Sequence, residues 1–418
     1  MKDKFLSTDS YKGVRDFYPD DMAIQSYIFD VWSQTAESFG YERYDASVLE
    51  PAILYKSKGA ENEELVNEQT YTFLDRGERE VTLRPEMTPT VARMVAGKRH
   101  ELVFPLRWYS IPNLFRYERA QRGRLREHWQ LNCDLFGADD VSADIEILAL
   151  AHQMLINFGA TEDMFEIKVN NRAEMTKLYS ELGINDEELV NKITKLNDQK
   201  AKISKADYTE SMEKILKDRK LTLAVIKMVE EKVTDHELIK GLATLGINNA
   251  TIDRSIARGF DYYTGTVFEI FDKSPENNRA LLGGGRYDNL TAMFGGNTVT
   301  GIGFGMGDVT MRDFLETHDL LTANITSPTI MVIPAETNLN IEAQKIAKQF
   351  READIKVATD MSQKKVGKKI SDAGKQFVEF ALIFGEDELN SSTFTLKNLT
   401  DGTEQSGTLT ELINNLTT

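Results

Sequence analysis

The sequence predicts an α+β body on an antiparallel sheet, interrupted by a helical insertion and followed by a smaller α/β domain. Three observations carry this. Strand-like segments between residues 70 and 136, and again from Ile256 to Phe304, are joined by polar or glycine-containing turns, the pattern of an antiparallel sheet. From Asn185 to Lys240 there is neither Gly nor Pro, and Lys and Glu alternate with spaced apolar residues, which reads as helices with solvated faces. After the polar stretch Leu320–Thr329, strands and helices alternate, as in a sheet covered by helices. The division expected is a body over 1–325, with its insertion at 185–240, and a second domain over 328–418.

In order along the chain, Pro19-Asp20-Asp21 precedes the helical stripe Ile24, Tyr27, Ile28, Val31 and Trp32, with Gly40 as the stop. Residues 70–74 and 79–83 form a hairpin around Asp75-Arg76-Gly77. Val103–Tyr109, Leu114–Arg119 and Glu127–Phe136 read as strands, the last two joined by a basic loop containing Gly123. Ser142 is placed to cap a helix closed by Gly159. In the second domain, strands at Ile330–Ile333, Ile355–Ala358, Phe380–Phe384 and Phe394–Leu399 alternate with helices at Asn340–Ala353 and Lys364–Gln376.

Composition narrows the function classes. With 418 residues, 41% hydrophobic and 28% charged, the chain is expected to fold as a multidomain soluble protein. No run of about 18 apolar residues occurs, and no apolar export segment follows Met1, so a cytoplasmic location without membrane partners is expected. The single cysteine, Cys133, rules out an internal disulfide and a multi-cysteine metal site, and the 5 histidines lack ligand spacing. A net charge of −16 argues against bulk nucleic-acid binding and requires any such partner to meet local basic patches.

Three segments carry candidate chemistry. In Leu83-Arg84-Pro85-Glu86-Met87-Thr88-Pro89, an extended backbone would turn Glu86 and Thr88 the same way, a carboxylate beside a hydroxyl that suits an ammonium group; polar caps of a following helix would look alike. In Phe115–Phe136, strand geometry would place Arg116 with Glu118 on one face, and Gln130, Asn132 and Asp134 on one face of the next strand. With Arg119, Arg122, Arg124 and Arg126 in the loop between them, this reads as a floor for a nucleotide, or as an ordinary amphipathic hairpin. In Arg258-Gly-Phe-Asp-Tyr-Tyr263, a forked cation leads into two phenols, which suits a small zwitterion and an anionic partner as well as it suits an aromatic hairpin. Gly283-Gly284-Gly285-Arg286-Tyr287-Asp288 and the alternating glycines Gly301–Gly307 allow close approach of a backbone or a ring, and no βαβ unit supports a dinucleotide fingerprint there.

Together and in this order, these segments resemble the class II aminoacyl-tRNA synthetase family, in its histidine-specific branch. Phe115–Arg119, the loop and Gln130–Asp134 resemble motif 2; Leu83–Thr88 resembles the amino-acid loop; Arg258–Tyr263 and Gly284–Asp288 resemble two histidine-specific signatures. Gly40-Tyr41 through Glu50-Pro51 resembles motif 1, which implies a homodimer, and the likeness continues to Gly385-Glu386-Asp387-Glu388 in an anticodon-binding-type domain.

The resemblance implies activation of L-histidine by ATP, with Mg2+ accompanying the nucleotide, and transfer of the histidyl group to the 3′ end of tRNA(His). It implies that Arg116 holds the α-phosphate, that Arg258 stabilises its developing charge, that Arg124 reaches the outer phosphates and that Glu118 meets the adenine. Glu86, Thr88 and Gln130 would bind the α-ammonium, while Asp134 and Tyr263 bracket the imidazole beside Tyr262 and Tyr287. Arg119, Arg122, Lys364, Lys365 and Lys368 would contact tRNA, and no protein motif supplies a metal site. Asp134 is one methylene shorter than the glutamate of many relatives.

The pattern departs in motif 3, where the class ends Gly-x-Glu-Arg, with the arginine on the γ-phosphate, and this chain reads Gly307-Asp308-Val309-Thr310. Arg312, two residues on, would point about 200° away on a helix. The departure keeps open a related reading, the non-charging regulatory subunit of ATP phosphoribosyltransferase. That subunit typically lacks the C-terminal domain and has less need of Arg116, Arg124 and Arg258. A non-catalytic RNA-binding or signalling module is a third reading, and it predicts broader damage to the site.

Overall fold

Pro19 opens the first helix, α1 (Pro19–Ser38), with Asp20 and Asp21 in the first turn, where the helix dipole favours them. Ile28, Trp32 and Ala36 are buried along one stripe, and Gly40, at φ +79°, ends the helix as expected. The computed structural model describes residues 5–56, 69–200, 203–257, 262–277, 279–322 and 327–417. The chain divides into two compact units, 1–323 and 324–418.

In the first unit β1 (Glu42–Arg43), β2 (Leu49–Pro51) and a short α2 (Ile53–Lys56) precede the predicted hairpin, β3 (Tyr71–Leu74) with β4 (Glu80–Leu83). Then come α3 (Thr88–Lys98), β5 (Leu106–Ser110), β6 (Asn113–Phe115), β7 (Glu127–Phe136), α4 (Val141–Asn157) and β8 (Phe165–Asn171). The helices α5 (Arg172–Glu181), α6 (Glu187–Asp198), α7 (Lys205–Leu216), α8 (Arg219–Glu230) and α9 (Glu237–Thr244) follow. The unit closes with β9 (Ala250–Ile252), β10 (Thr266–Asp272), β11 (Ala280–Arg286), β12 (Gly301–Gly307) and α10 (Asp308–Thr317).

The main sheet runs β1-β5-β7-β12-β11-β10-β8-β9, with β6 paired to β7 at the side. Its central pairings are antiparallel, while β1–β5 and β8–β9 are parallel. One face is buried under α1, α4, α9 and α10, through Trp32, Ile147, Leu242 and Phe314 packed on Leu131, Cys133, Ile302 and Met306. On the opposite face α3 covers one end, with Val91 and Val95 packed near Tyr262, Tyr263 and Tyr287. The helices α5–α8 close on a core of their own, from Met175 to Val229, whereas Leu238 and Leu242 of α9 join the sheet's core. Low glycine content is shared by both groups of helices, so composition alone cannot separate them.

Three local expectations need correction. The strand expected over Leu114–Arg119 stops at Phe115, because Gln69 O accepts from Tyr117 N at 2.7 Å and draws the chain off β7. Thr88 is not on an extended segment: Met87 is already helical (φ −104°, ψ −24°) and Thr88 begins α3, with Pro89 in its first turn. The cap of α4 is Asp140, whose carboxylate accepts from Ser142 N at 2.8 Å, and not Ser142 itself.

The second unit contains β13 (Ile330–Pro334), α11 (Asn340–Arg351), β14 (Val357–Thr359), α12 (Val366–Lys375), β15 (Phe380–Phe384), α13 (Glu386–Ser391), β16 (Phe394–Asn398), β17 (Glu404–Gly407) and α14 (Leu409–Thr417). Its sheet, β14-β13-β15-β16-β17, is parallel at β13 and antiparallel from β15 onward. Lys364 and Lys368 each reach Asp372 at 2.8 Å, and those ammonium groups hold its carboxyl down at about 2. Lys369, the next residue along, is buried (1% exposed) and donates to Pro334 O at 3.0 Å.

Candidate functional site

The site is built on β7. Leu131, Cys133 and Leu135 lie in the core, so strand alternation turns His128, Gln130, Asn132 and Asp134 to the opposite face, as the sequence predicts. From Asp134 to Gln130 that row covers about 13 Å. Glycines on β12 keep it open: Gly303 lies opposite Asp134, Gly305 opposite Asn132 and Gly307 opposite Gln130. A Cβ at Gly303 would fall 2.4 Å from Asp134 Oδ1 and 3.1 Å from the Tyr287 hydroxyl; one at Gly305 would fall 2.7 Å from the Gln130 amide carbon. The glycine alternation therefore makes room for side chains crossing over the strand.

At the Asp134 end the polar groups are buried and paired. Tyr287 donates its hydroxyl to Asp134 Oδ1, and Tyr262 donates to Glu86 Oε2 at 2.9 Å. The Tyr262 and Tyr287 rings meet edge-on with centroids 6.1 Å apart, which links the two carboxylates through one aromatic wall. Tyr263 continues the wall 5.0 Å from Tyr262, and its ring lies over Gly285, 2.8 Å from where a Cβ would sit. Burial, then the neighbouring carboxylate (Glu86 for Tyr262, Asp134 for Tyr287), pushes both phenols well above their usual range and keeps them protonated donors. Thr88 also hydrogen-bonds to the Tyr262 phenol from the start of α3. Glu86, Thr88, Asp134, Tyr262, Tyr263 and Tyr287 thus come together, with Gln130 further along the same face.

Burial pushes the Asp134 carboxyl up to about 7, against the opposing effect of the Tyr287 and Tyr44 hydroxyls. Asp134 Oδ2, the Tyr44 hydroxyl and Ser110 Oγ are all buried; Tyr44 lies close to both Asp134 and Ser110, yet among the described residues none of the three atoms makes a well-formed hydrogen bond. Three such atoms in one place mark where the polar groups of a ligand can be received. Neither Tyr44 nor Ser110 was expected here from the sequence. Ser110 arrives through the pairing of β5 with β7, which sets Trp108 opposite Asp134 and Ser110 opposite Asn132.

The other end is more open and is made of arginines. Arg116 donates from Nε to Pro85 O at 2.8 Å, which ties it to the Glu86 loop. Because the strand has ended, Arg116 and Glu118 are not paired by strand alternation; Glu118 turns to Arg124, Oε2 to Nε 3.0 Å. Arg126 stacks over Tyr117 at 4.0 Å, Arg122 donates to Asn277 at 3.1 Å, and Arg119 is exposed. Burial, then the Arg116 and Arg15 guanidinia, pushes the His128 imidazole down to about 3 and keeps it neutral. Arg258 lies outside the described residues.

Motif 3 is rewired. Asp308 is buried (1% exposed) and accepts from Arg15 at 2.6 Å, Gln25 at 3.3 Å and Trp129 N at 2.9 Å, so it fastens the N-terminal segment and β7 to α10. Arg312 is held by Asp21 at 3.1 Å and Glu316 at 2.8 Å, away from the site as its helical position implies. Arg286, within a signature segment, reaches Asp144 at 2.5 Å and the carbonyls of Ala138 and Asp140, and so anchors β11 to α4.

Comparison with known proteins bears on the family and the fold. A family model described as histidyl-tRNA synthetase matches residues 13–308, and one described as an anticodon binding domain matches 329–418. The histidine--tRNA ligase of Leptospira biflexa is 42% identical, covering 96% of this chain and 95% of its own; that of Thermoplasma volcanium is 35% identical, covering 98% of each. Among solved structures, the histidyl-tRNA synthetase of Nostoc sp. PCC 7120 superposes with a TM-score of 0.80 at 24% identity, over 99% of this chain and 100% of that one. An ATP phosphoribosyltransferase regulatory subunit/histidyl-tRNA synthetase from Bacillus halodurans shares the fold, with a TM-score of 0.74 at 21% identity, over 91% of this chain and 99% of that one. On the family match and the coverage of its relatives, the chain belongs to the histidyl-tRNA synthetase family.

Proposed function

We propose that this chain is a histidine--tRNA ligase whose two substrates of activation meet along the β7 face, histidine at the Asp134 end and ATP at the arginine end. In the first step a carboxylate oxygen of histidine attacks the α-phosphorus of ATP. The bond to the bridging oxygen breaks, and pyrophosphate leaves. In the second, the 3′-terminal ribose hydroxyl of tRNA attacks the carbonyl carbon of the adenylate, and AMP leaves with the bonding pair. No covalent bond to the protein is required, so catalysis is positioning and charge stabilisation.

In this reading Asp134 receives an imidazole N–H, and Tyr287 fixes the carboxylate that does so. Glu86, Thr88 and Gln130 receive the α-ammonium, with Tyr262 and Tyr263 as the ring wall. Arg116 and Arg258 hold the α-phosphate, Arg124 the outer phosphates and Glu118 the adenine. Magnesium enters as the counter-ion of the nucleotide phosphates and is part of the substrate. The observation that carries the histidine end is the buried Tyr287–Asp134 pair beside the Asp134 Oδ2, Tyr44 and Ser110 oxygens, which make no well-formed hydrogen bond among the described residues. An imidazole, with one ring nitrogen donating and the other accepting, matches that set.

For tRNA, Arg119 and Arg122 of the loop, and Lys364, Lys365 and Lys368 of the second unit, are the contacts proposed. Asp372 already offsets part of the lysine charge. A homodimer is supported by apolar side chains left in solvent around the β2-β4-β3 sheet, with Leu49 46%, Ile53 68%, Phe73 47% and Leu74 67% exposed. Among the described residues no helix is long and apolar enough to cross a membrane, and a cytoplasmic site of action is part of the proposal.

The test is histidine-dependent ATP–pyrophosphate exchange, followed by charging of tRNA(His). Exchange with histidine and with none of the other standard amino acids is expected. A folded protein that binds histidine but gives no exchange would contradict the reading and favour the regulatory subunit.

A further inference from the structure

Thr310 stands where the family places a phosphate-binding arginine, and the structure gives the threonine a different task. The pairing of β10 with β11 slips between Ile270 and Phe271: Ile270 faces Leu282, whereas Phe271 faces Ala280, so Leu281 is an additional residue on β11. Such a bulge releases a backbone group from the ladder and re-aims the chain beside it. Thr310 Oγ1 shares its proton between the carbonyls of Leu281 and Gly307, each at 3.2 Å, so the threonine ties the bulge to the start of α10.

The residue leading into the bulged strand is Arg279. Its Cδ lies 2.8 Å, and Thr310 Cγ2 3.5 Å, from the point where a Cβ on Gly123 would fall, so Arg279, Thr310 and the tip of the basic loop converge. Gly123, at φ +72°, leaves that space for the arginine stem. These residues wall a cavity of about 380 Å³ together with Arg122, Asn277 and Asp313. Nearby charges are already matched: Arg124 pairs with Glu118 at 3.0 Å and Arg122 leans on Asp313 at 3.9 Å. Among the described residues Arg279 makes no hydrogen bond or ion pair; burial, then the Arg124 guanidinium, disfavours its charge, against the smaller opposing pull of Glu118, which is already paired with Arg124. Glu276 and Asp313 also line the cavity, but neither is ion-paired with Arg279, and a half-buried guanidinium beside a second one and without an ion-pair partner is poised for an anion.

We propose that Arg279 binds the outer phosphates of ATP and takes over, from the end of β11, the charge that Thr310 does not supply from α10. This rests on the ATP-dependent reading given above. The two positions adjoin one cavity, and a guanidinium offered from either wall reaches the same space. Moving the arginine leaves α10 free to carry Asp308 and Thr310 as structural ties to Arg15 and to the Leu281 bulge.

The test is pyrophosphate exchange with wild type, Arg279→Ala, Arg279→Lys and the double variant Arg279→Ala/Thr310→Arg. Arg279→Ala is expected to raise the KM for ATP about tenfold or more and the KM for pyrophosphate, the second reactant of the exchange, to a similar degree. Histidine KM and inhibition by AMP, which lacks the outer phosphates, should not move. Arg279→Lys keeps the stem and a point charge, and should fall between. Restoring a guanidinium through Thr310→Arg should bring the ATP KM of the alanine variant back down, a rescue that a merely structural role for Arg279 would not give. Unchanged ATP and pyrophosphate dependence in both single variants, or parallel losses for AMP and histidine without rescue, would overturn the proposal while the synthetase reading stands. No exchange by wild type would overturn that reading and this inference with it.

Discussion

The two ends of the β7 face are built on different principles. At the Asp134 end the carboxylates of Glu86 and Asp134 are buried, each accepts from a fixed tyrosine, and clearance is set by a glycine; Gly303 leaves no room even for a methyl group. At the arginine end the cations are more exposed, Arg124 and Arg122 lean on Glu118 and Asp313, and with Thr310 at the motif 3 position the cavity still carries Arg122 and Arg279. The difference follows from the forces in use. A hydrogen bond to an imidazole weakens steeply with angle and distance, so its donor or acceptor cannot be moved. Attraction between a guanidinium and a polyphosphate falls only as the inverse of distance, so the same charge can be supplied from another element.

The comparison can be broken most readily at the histidine end. Asp134→Ala removes the acceptor and leaves the Tyr287 hydroxyl buried without one, so the histidine KM should rise about 100-fold or more. ATP KM should be unchanged; steady-state exchange kinetics read both. A smaller loss of the same kind is expected from Gly303→Ala. Its methyl group would fall 2.4 Å from Asp134 Oδ1 and 2.5 Å from Cys133 O, which should cost about 1–3 kcal/mol of stability along with histidine affinity. Thermal melts and histidine binding by calorimetry test this, and an undisturbed histidine affinity would refute the clearance argument.

The raised Asp134 carboxyl sharpens the comparison through pH. The folded state holds that proton up to about 7, while the unfolded chain releases it near 4, so this group makes stability fall as pH rises between those values and contributes no slope above them. Asp134→Asn should remove that slope and leave the variant more stable than wild type at pH 8, yet poorer in histidine binding. Denaturant unfolding at pH 5 and pH 8 measures it; an identical slope in both proteins would contradict the assignment. The smallest effect is expected in the second unit. Lys365 makes no ion pair among the described residues, and Lys365→Ala should weaken tRNA binding only by about twofold, with a slightly shallower salt dependence. A large loss would mean that this surface is more specific than its exposed, partly neutralised lysines imply.

Much of this arrangement was legible before any coordinates. The stripe ending at Trp32, the polar face of β7, the Gly301–Gly307 alternation and the strand–helix order after Ile330 each follow from short-range periodicity. What escaped depends on contacts between distant segments. Gln69 peels Tyr117 away from β7, so Arg116 and Glu118 do not share a strand face. Ser110 enters the site only through the pairing of β5 with β7, and Tyr44 through the loop that follows β1. Arg279 owes its placement to a one-residue bulge, and Lys369 is drawn inward by the Pro334 carbonyl of a strand 35 residues earlier. Thr88 was misplaced because a short polar segment ahead of a proline reads equally well as extended chain or as the start of a helix.

The most direct test of the two-ended site is pyrophosphate exchange run as a matrix of histidine and ATP concentrations on wild type, Asp134→Ala and Arg124→Ala. The account predicts that Asp134→Ala moves only the histidine KM, by about 100-fold or more, and Arg124→Ala only the ATP KM, by about tenfold. If either variant shifts both constants together, the two ends are one coupled site, and the division drawn along β7 is wrong.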